Sequence, residues 1–190
     1  MLLEQLAYES YNLKITITYK QMLIKIAFGG GCHWCTEAVF QYLKGVQKVH
    51  QGWVASTGDH SSFSEAVIIH FFPNQISLKT LIAIHLYTHK STSEYSMRKK
   101  YRSAIYTFSE EQKFESMQIL KEFQNEFDNK IITKVYPFSA FKPNTENFQE
   151  YYKKNPKKPF CETFINPKLR LLLNMFSKNV KTEELSHLIN

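Results

Sequence analysis

Disulfide bonds are the first thing this chain lacks the material for. Its 190 residues include three cysteines, too few for a cross-linked scaffold, so metal or redox chemistry is the better use for them. No apolar run is long enough to span a bilayer. The opening residues, Met1-Leu2-Leu3-Glu4-Gln5, lack the positive head and apolar core of a secretory signal. A cytoplasmic location is the expectation that follows. Glycine and proline are sparse, six of each, which argues against low complexity, and no internal repeat is present. Acidic residues are outnumbered, 17 against 24 lysines and arginines, for a formal charge of +7. The basic residues are scattered, with small clusters at Arg98-Lys99-Lys100 and Lys153-Lys154, and no nucleic-acid motif accompanies them. They read as a solvated basic surface, with neither nucleic acid nor membrane as a partner.

What is present suffices for one well-cored domain, at 43% hydrophobic and 15% aromatic residues. Residues 1–21 are polar and aromatic with weak periodicity. Met22 begins a clean apolar run and is a candidate start. The chain is therefore divided into an extension of uncertain reality (1–21), a functional domain (22–178) and a frayed tail (179–190). Periodicity and turn signals predict strands over 46–54, 65–72, 102–108 and 131–138. Helices are predicted over 36–43 and 77–88, from a capping box at Ser109-Glu110-Glu111-Gln112 to 127, and near 146–153 and 169–177. Residues 56–62 and 90–99 read as polar loops. Strands mixed with helices in this order imply an α+β fold, a two-layer α/β sandwich.

The stretch from Ile24 through Gly29-Gly30-Gly31-Cys32-His33-Trp34-Cys35 to Phe40 reads as a strand, a glycine corner, and a cysteine opening an amphipathic helix. Consecutive glycines allow backbone turns that a side chain would forbid and let a ligand approach the main chain. A thiol where a helix begins faces unpaired N–H groups and the positive end of the helix dipole. Both favour the nucleophilic thiolate.

Four collinear motifs carry a resemblance. They are Gly31-Cys32-His33-Trp34-Cys35, Ser64-Glu65-Ala66-Val67, Lys100-Tyr101-Arg102-Ser103-Ala104-Ile105-Tyr106, and the segment from Asn155-Pro156 to Phe160-Cys161. Together the chain resembles the A-type peptide methionine sulfoxide reductases from about residue 23 to 176. The resemblance implies a ferredoxin-like α/β plait core with extra helices and a C-terminal extension. It implies reduction of the S epimer of methionine sulfoxide, free or in proteins, as repair of oxidative damage. No bound cofactor or metal is implied, and thioredoxin, or dithiothreitol in its place, is the external reductant. A monomer is expected.

Sulfoxide reduction needs a soft nucleophile at sulfur and an acid at oxygen. By the resemblance, Cys32 is the nucleophile, Glu65 the acid in an apolar cleft, and Tyr101 a hydrogen-bonding group for the substrate oxygen. Trp34 forms an aromatic wall for the S-methyl group, a positioning contact worth about 0.3–1.5 kcal/mol. His33, where the family usually has phenylalanine, is read as a second wall, although an imidazole there can also titrate. Attack leaves a sulfenic acid on Cys32, and a second thiol condenses with it. Cys161 is favoured as that resolving cysteine, by family match and by its Pro/Lys-rich, mobile-looking loop, with Cys35 as the alternative. The bland alternatives are a buried structural thiol at Cys32, a strand-edge glutamate at Glu65 and a packing tyrosine at Tyr101.

Two departures stand out. The segment from Gly52-Trp53 to Glu65 is shorter than the family's and holds no tyrosine where a second oxygen-binding one is expected. A family aspartate falls on Ser96. Loss of one hydrogen bond to a developing charge costs about 10²–10³ in rate. Three rivals therefore stay open: a general thiol–disulfide oxidoreductase using Cys32 and Cys35, a structural zinc site built from the three cysteines and a histidine, and a family member that binds oxidised methionine without turnover.

Overall fold

The computed structural model describes residue 5 and residues 22–189, so the extension over 1–21 otherwise lies outside the described residues. In chain order the elements are β1 (Ile24–Gly29), α1 (His33–Gln41), β2 (Val46–Ala55), β3 (Ser64–Phe71), α2 (Leu78–Thr88), β4 (Ala104–Thr107), α3 (Glu110–Phe123), β5 (Lys134–Pro137), β6 (Ala140–Pro143), the single turn α4 (Tyr151–Lys154) and α5 (Asn166–Phe176). Six strands form one sheet in the order β5-β4-β1-β3-β2-β6. The pairs are antiparallel except β4 with β5.

Alternation along the central strands sorts residues between the two faces of the sheet. Ile26 and Phe28 of β1, Val67, Ile69 and Phe71 of β3, and Ile105 of β4 join the main core with residues of α1, α2, α3 and α5. Phe28 stacks on Phe40 of α1 at 5.0 Å. Burial of each such side chain stabilises the fold by about 1.5–3 kcal/mol. The opposite face carries Ala27, Ala66, Ile68 and Ala104, covered by Tyr106 and flanking aromatics. Small residues there let the aromatics lie close to the sheet. The molecule is thus an α+β fold with its helical layer against one face.

Local signals explain most element boundaries. Ser77 caps α2 by accepting the Thr80 N–H at 3.1 Å. Ser109 accepts the Gln112 N–H, and the Gln112 side chain accepts the Phe108 N–H, a capping-box pairing whose return bond reaches one residue beyond the cap. The predicted helix from Ser109 to 127 splits: α3 ends at Phe123 and a 3₁₀ turn, Gln124–Phe127, finishes it before left-handed Asp128.

Two expectations are corrected. The tail after Asn179 is not frayed: Val180 and Leu185 are fully buried and Leu188 nearly so. Lys181 N–H donates to Tyr42 O, and Lys44 N–H to Asn179 O. Apolar residues at 180, 185 and 188 find a hydrophobic seat against the turn after α1. Likewise Cys161 does not sit in a loose loop. It opens a π-helical turn, Cys161–Ile165, that runs directly into α5.

Candidate active site

Cys32 is the residue that caps α1, with extended φ and ψ of −55° and 127°. The bend that puts it there passes through Gly30, at φ +156°. A Cβ on Gly30 would lie 2.3 Å from the His89 ring, so the tight approach of His89 is what requires glycine. His89 is fixed beneath it by Ser103 Oγ at 2.8 Å. Gly31 has open space around it. Arg98 secures the corner from outside, donating to the carbonyls of Gly30 at 3.1 Å and Tyr101 at 3.2 Å.

The N-cap and third helical positions face each other across the first turn, and here they hold the Cys32 and Cys35 thiols. The Cys35 thiol, with the Trp34 and Cys35 N–H groups, draws the Cys32 pKa below the ordinary thiol value, against burial and the nearby Glu65 charge. Cys35 moves the other way: its hydrogen bond to Cys32 and its burial push it up. Its sulfur also lies 3.9 Å from the Phe164 carbonyl. The pair is thus polarised, with Cys32 the readier thiolate and Cys35 the proton donor.

Glu65 lies beside this turn because β3 is central and β1 is its neighbour. The N–H of His33, one residue past Cys32, donates to Glu65 Oε2 at 3.1 Å, and Lys100 Nζ is 3.2 Å from Oε1. The expected apolar cleft is therefore polar around the carboxyl. Glu65 N–H and Ser64 Oγ both donate to Lys100 O, while Arg102 N–H donates to Ser64 Oγ. These bonds bind the start of β3 to the loop carrying Tyr101. Tyr101 in turn lines one cleft with Cys32, Cys35, Phe160 and Phe164.

His33 is not a free wall. Its ring is buried, with Nδ1 3.3 Å from Gly52 O and 3.4 Å from Glu65 Oε2, and Nε2 3.2 Å from Asn144 Nδ2. Asn144 Oδ1 accepts from Thr145 N–H, so its Nδ2 is the donor. Nε2 therefore accepts, and the proton of the neutral ring sits on Nδ1, toward Glu65 and Gly52. Burial lowers the His33 pKa while Glu65 opposes the shift. Trp34 stacks flat on Tyr151 at 4.1 Å and meets Phe160 edge-on at 5.4 Å.

Cys161 is fully buried, with its sulfur 3.5 Å from Asn155 O, and burial raises its pKa. It is absent from the lining of the Cys32 cleft. Ser96, where an aspartate was expected, is exposed at the start of a 3₁₀ turn, and Glu94 and Asp59 are exposed as well. Lys100, Arg98 and Asn144 escaped the sequence reading. Lys100 and Arg98 lay in a basic cluster that looked like surface, and Asn144 reaches the site only through pairing of β6 with β2. Among the described residues, no three His, Cys, Asp or Glu side chains are grouped to hold a metal ion.

Comparison with known proteins gives this arrangement a context. A family model described as peptide methionine sulfoxide reductase matches residues 24–181. A relative named peptide methionine sulfoxide reductase MsrA from Deinococcus radiodurans is 34% identical over 170 residues, 81% of this chain and 82% of its own. An MsrA from Acinetobacter baumannii is 33% identical, covering 82% of this chain and 97% of its own. Among solved structures, oxidised Mxr1 from Saccharomyces cerevisiae aligns with a TM-score of 0.57 and 26% identity over 70% of this chain and 82% of that one. Methionine sulfoxide reductase A of Corynebacterium diphtheriae shares the fold with a TM-score of 0.62 at 22% identity, over 70% of this chain and 76% of that one. These matches show that the chain belongs to the peptide methionine sulfoxide reductase family, enzymes that reduce methionine (S)-sulfoxide.

Proposed function

We propose that Cys32 attacks the sulfoxide sulfur as a thiolate while Glu65 delivers a proton to the oxygen and Tyr101 hydrogen-bonds it. The observation that carries this reading is the junction at His33: the residue after the depressed-pKa cysteine donates its N–H to Glu65 at 3.1 Å. Nucleophile and acid are held by consecutive residues, which suits attack at sulfur and protonation at oxygen on one S=O group. Lys100, more than half exposed on its side chain, connects the carboxyl to bulk solvent. The oxygen then passes from the substrate sulfur to the Cys32 sulfur as the bond between the two sulfurs breaks, so that methionine leaves and Cys32 carries a sulfenic acid. Trp34, braced by Tyr151, holds the S-methyl group by aromatic–sulfur contact.

A thioredoxin-like protein restores the thiols by disulfide exchange. Mxr1 has been solved in complex with Trx2, a structure that aligns here with a TM-score of 0.53, and the exposed Phe164 at the rim of the cleft suits a protein partner. The catalytic unit runs over 22–188, including the packed C-terminal segment, and acts as one chain because every site residue comes from it. The order β4-β1-β3-β2, with α1 and α2 as crossovers, supports a ferredoxin-like plait core extended by β5 and β6. Three unpaired cysteines suit a reducing compartment such as the cytoplasm, and among the described residues no helix is long and apolar enough to cross a membrane.

The test is dithiothreitol-driven reduction of separated S and R epimers of a blocked methionine sulfoxide, comparing the native chain with Cys32→Ser. Turnover of the S epimer alone, abolished by the substitution, is the expected result. Turnover of neither epimer by folded, reduced protein would move thiol–disulfide exchange at Cys32 and Cys35 ahead.

A further inference from the structure

Lys168 is a half-buried cation with no part in the chemistry at Glu65. It stands in the first turn of α5, and its ammonium donates to the Thr88 carbonyl at the end of α2. Its side chain helps close a cavity of about 50 Å³ behind Cys32, walled also by Cys35, His85, Thr88 and His89. That is room for a small polar group or water. His85 is 1% exposed, and its Nε2 has no hydrogen-bond partner in the protein. Burial holds His85 neutral and brings His89 down to about 3. The positive charge of this cavity is therefore that of Lys168. Lys90 lies exposed on the solvent side of the adjoining cleft. Burial presses the Lys168 amine below the usual lysine value, and the two neighbouring thiols act in the opposite sense.

We propose that Lys168 is the electrostatic partner of Cys35 in closing a Cys32–Cys35 disulfide, and that the cavity it lines receives the oxygen leaving Cys32. The inference rests on the reading above in which Cys32 becomes a sulfenic acid. Cys35 gives up its proton and its sulfur attacks that of Cys32. The S–O bond breaks, the S–S bond forms, and the oxygen departs with the proton as water. The Cys35 sulfur is oxidised and the Cys32 sulfur reduced, so the step requires no outside oxidant. Cys35 begins as the harder thiol to ionise, and a fixed ammonium beside it offsets that cost. Lys168 and His85 both line the space into which the oxygen moves. Cys35 lines both the cleft and the cavity with Cys32, whereas fully buried Cys161 lines neither.

The experiment is a single turnover without reductant in a Cys161→Ser background, following methionine release, dimedone-trappable sulfenic acid and the disulfide map by mass spectrometry. Lys168→Met is expected to release methionine within about threefold of the parent rate, while disulfide closure slows roughly 10- to 100-fold and sulfenic acid accumulates. Lys168→Arg is expected to restore most of the closure rate. Closure in Lys168→Met should also rise more steeply with pH, which a packing defect would not produce. Closure at the parent rate in Lys168→Met overturns the proposal, as does a Cys32–Cys161 bond forming first when all three cysteines are present. If Lys168→Met does not fold, Lys168→Gln is measured in the same way. Hydrogen peroxide oxidises Cys32 directly, so closure can be followed even if the parent releases no methionine. That last outcome would overturn the sulfoxide reading alone.

Discussion

On one side of Cys32 stand Glu65, Lys100 and the His33 N–H, joined at 3.1 to 3.2 Å and linked to solvent through an exposed lysine. On the other stand Cys35, Lys168, His85 and Thr88 around a small cavity. The two sides suit different halves of one cycle. Oxygen must be protonated where protons can be exchanged with water, so a carboxyl with an exposed cationic partner fits the first half. A sulfenic acid must meet a thiol before other reagents, so a small pocket shared by both sulfurs and one fixed charge fits the second. In the proposed cycle one sulfur serves both, because it sits at a helix cap where neighbours approach from either side of the chain.

The comparison can be broken most strongly at Glu65. Glu65→Gln should lower kcat/KM for the S-sulfoxide by about 10²–10³. It should leave alkylation of Cys32 unchanged or faster, since the Glu65 charge raises the Cys32 pKa. Parallel loss of both rates would mean that the two sides are not separable. Cys35→Ala probes the other side. It removes the largest influence lowering the Cys32 pKa, so the midpoint of a pH series of iodoacetamide alkylation should move up toward the ordinary 9.0. Below that midpoint the rate falls about tenfold for each unit of upward shift; a midpoint that stays put would assign the depressed pKa to the helix N–H groups instead. The smallest effect is expected for His33→Phe, which keeps the backbone N–H on Glu65 but removes Nδ1 and leaves Asn144 without its ring partner. A loss of about 1 kcal/mol, or roughly fivefold in kcat/KM, is expected. An unchanged or higher kcat/KM would return His33 to the role of a simple aromatic wall.

Reading the chain in advance succeeded where the determinants are close in sequence. The cysteine-led helix start at Cys32 and the helix start at Ser109 both depend on residues within four positions of one another, and both were read from the sequence. It failed at Cys161, where proline and lysine spacing suggested a loop. Isolated turn residues do not reveal that the segment packs against α1 and buries its thiol. It failed again beyond Asn179, because a short apolar segment becomes ordered only when a neighbouring surface exists to receive it. Lys100 and Lys168 looked like members of a solvated basic surface, and only their spatial partners set them apart.

The sequence by itself determined the sulfur chemistry. A thiol at a helix cap with a second thiol three residues on is a local arrangement, and local backbone geometry suffices to polarise it. Tertiary structure alone decided what surrounds that thiol: a carboxyl from β3, a lysine from the loop before β4, an asparagine just after β6 and a lysine from α5. Electrostatic and hydrogen-bonding effects act over a few ångströms, whatever the separation along the chain. They are settled when the sheet assembles and brings distant segments to one point.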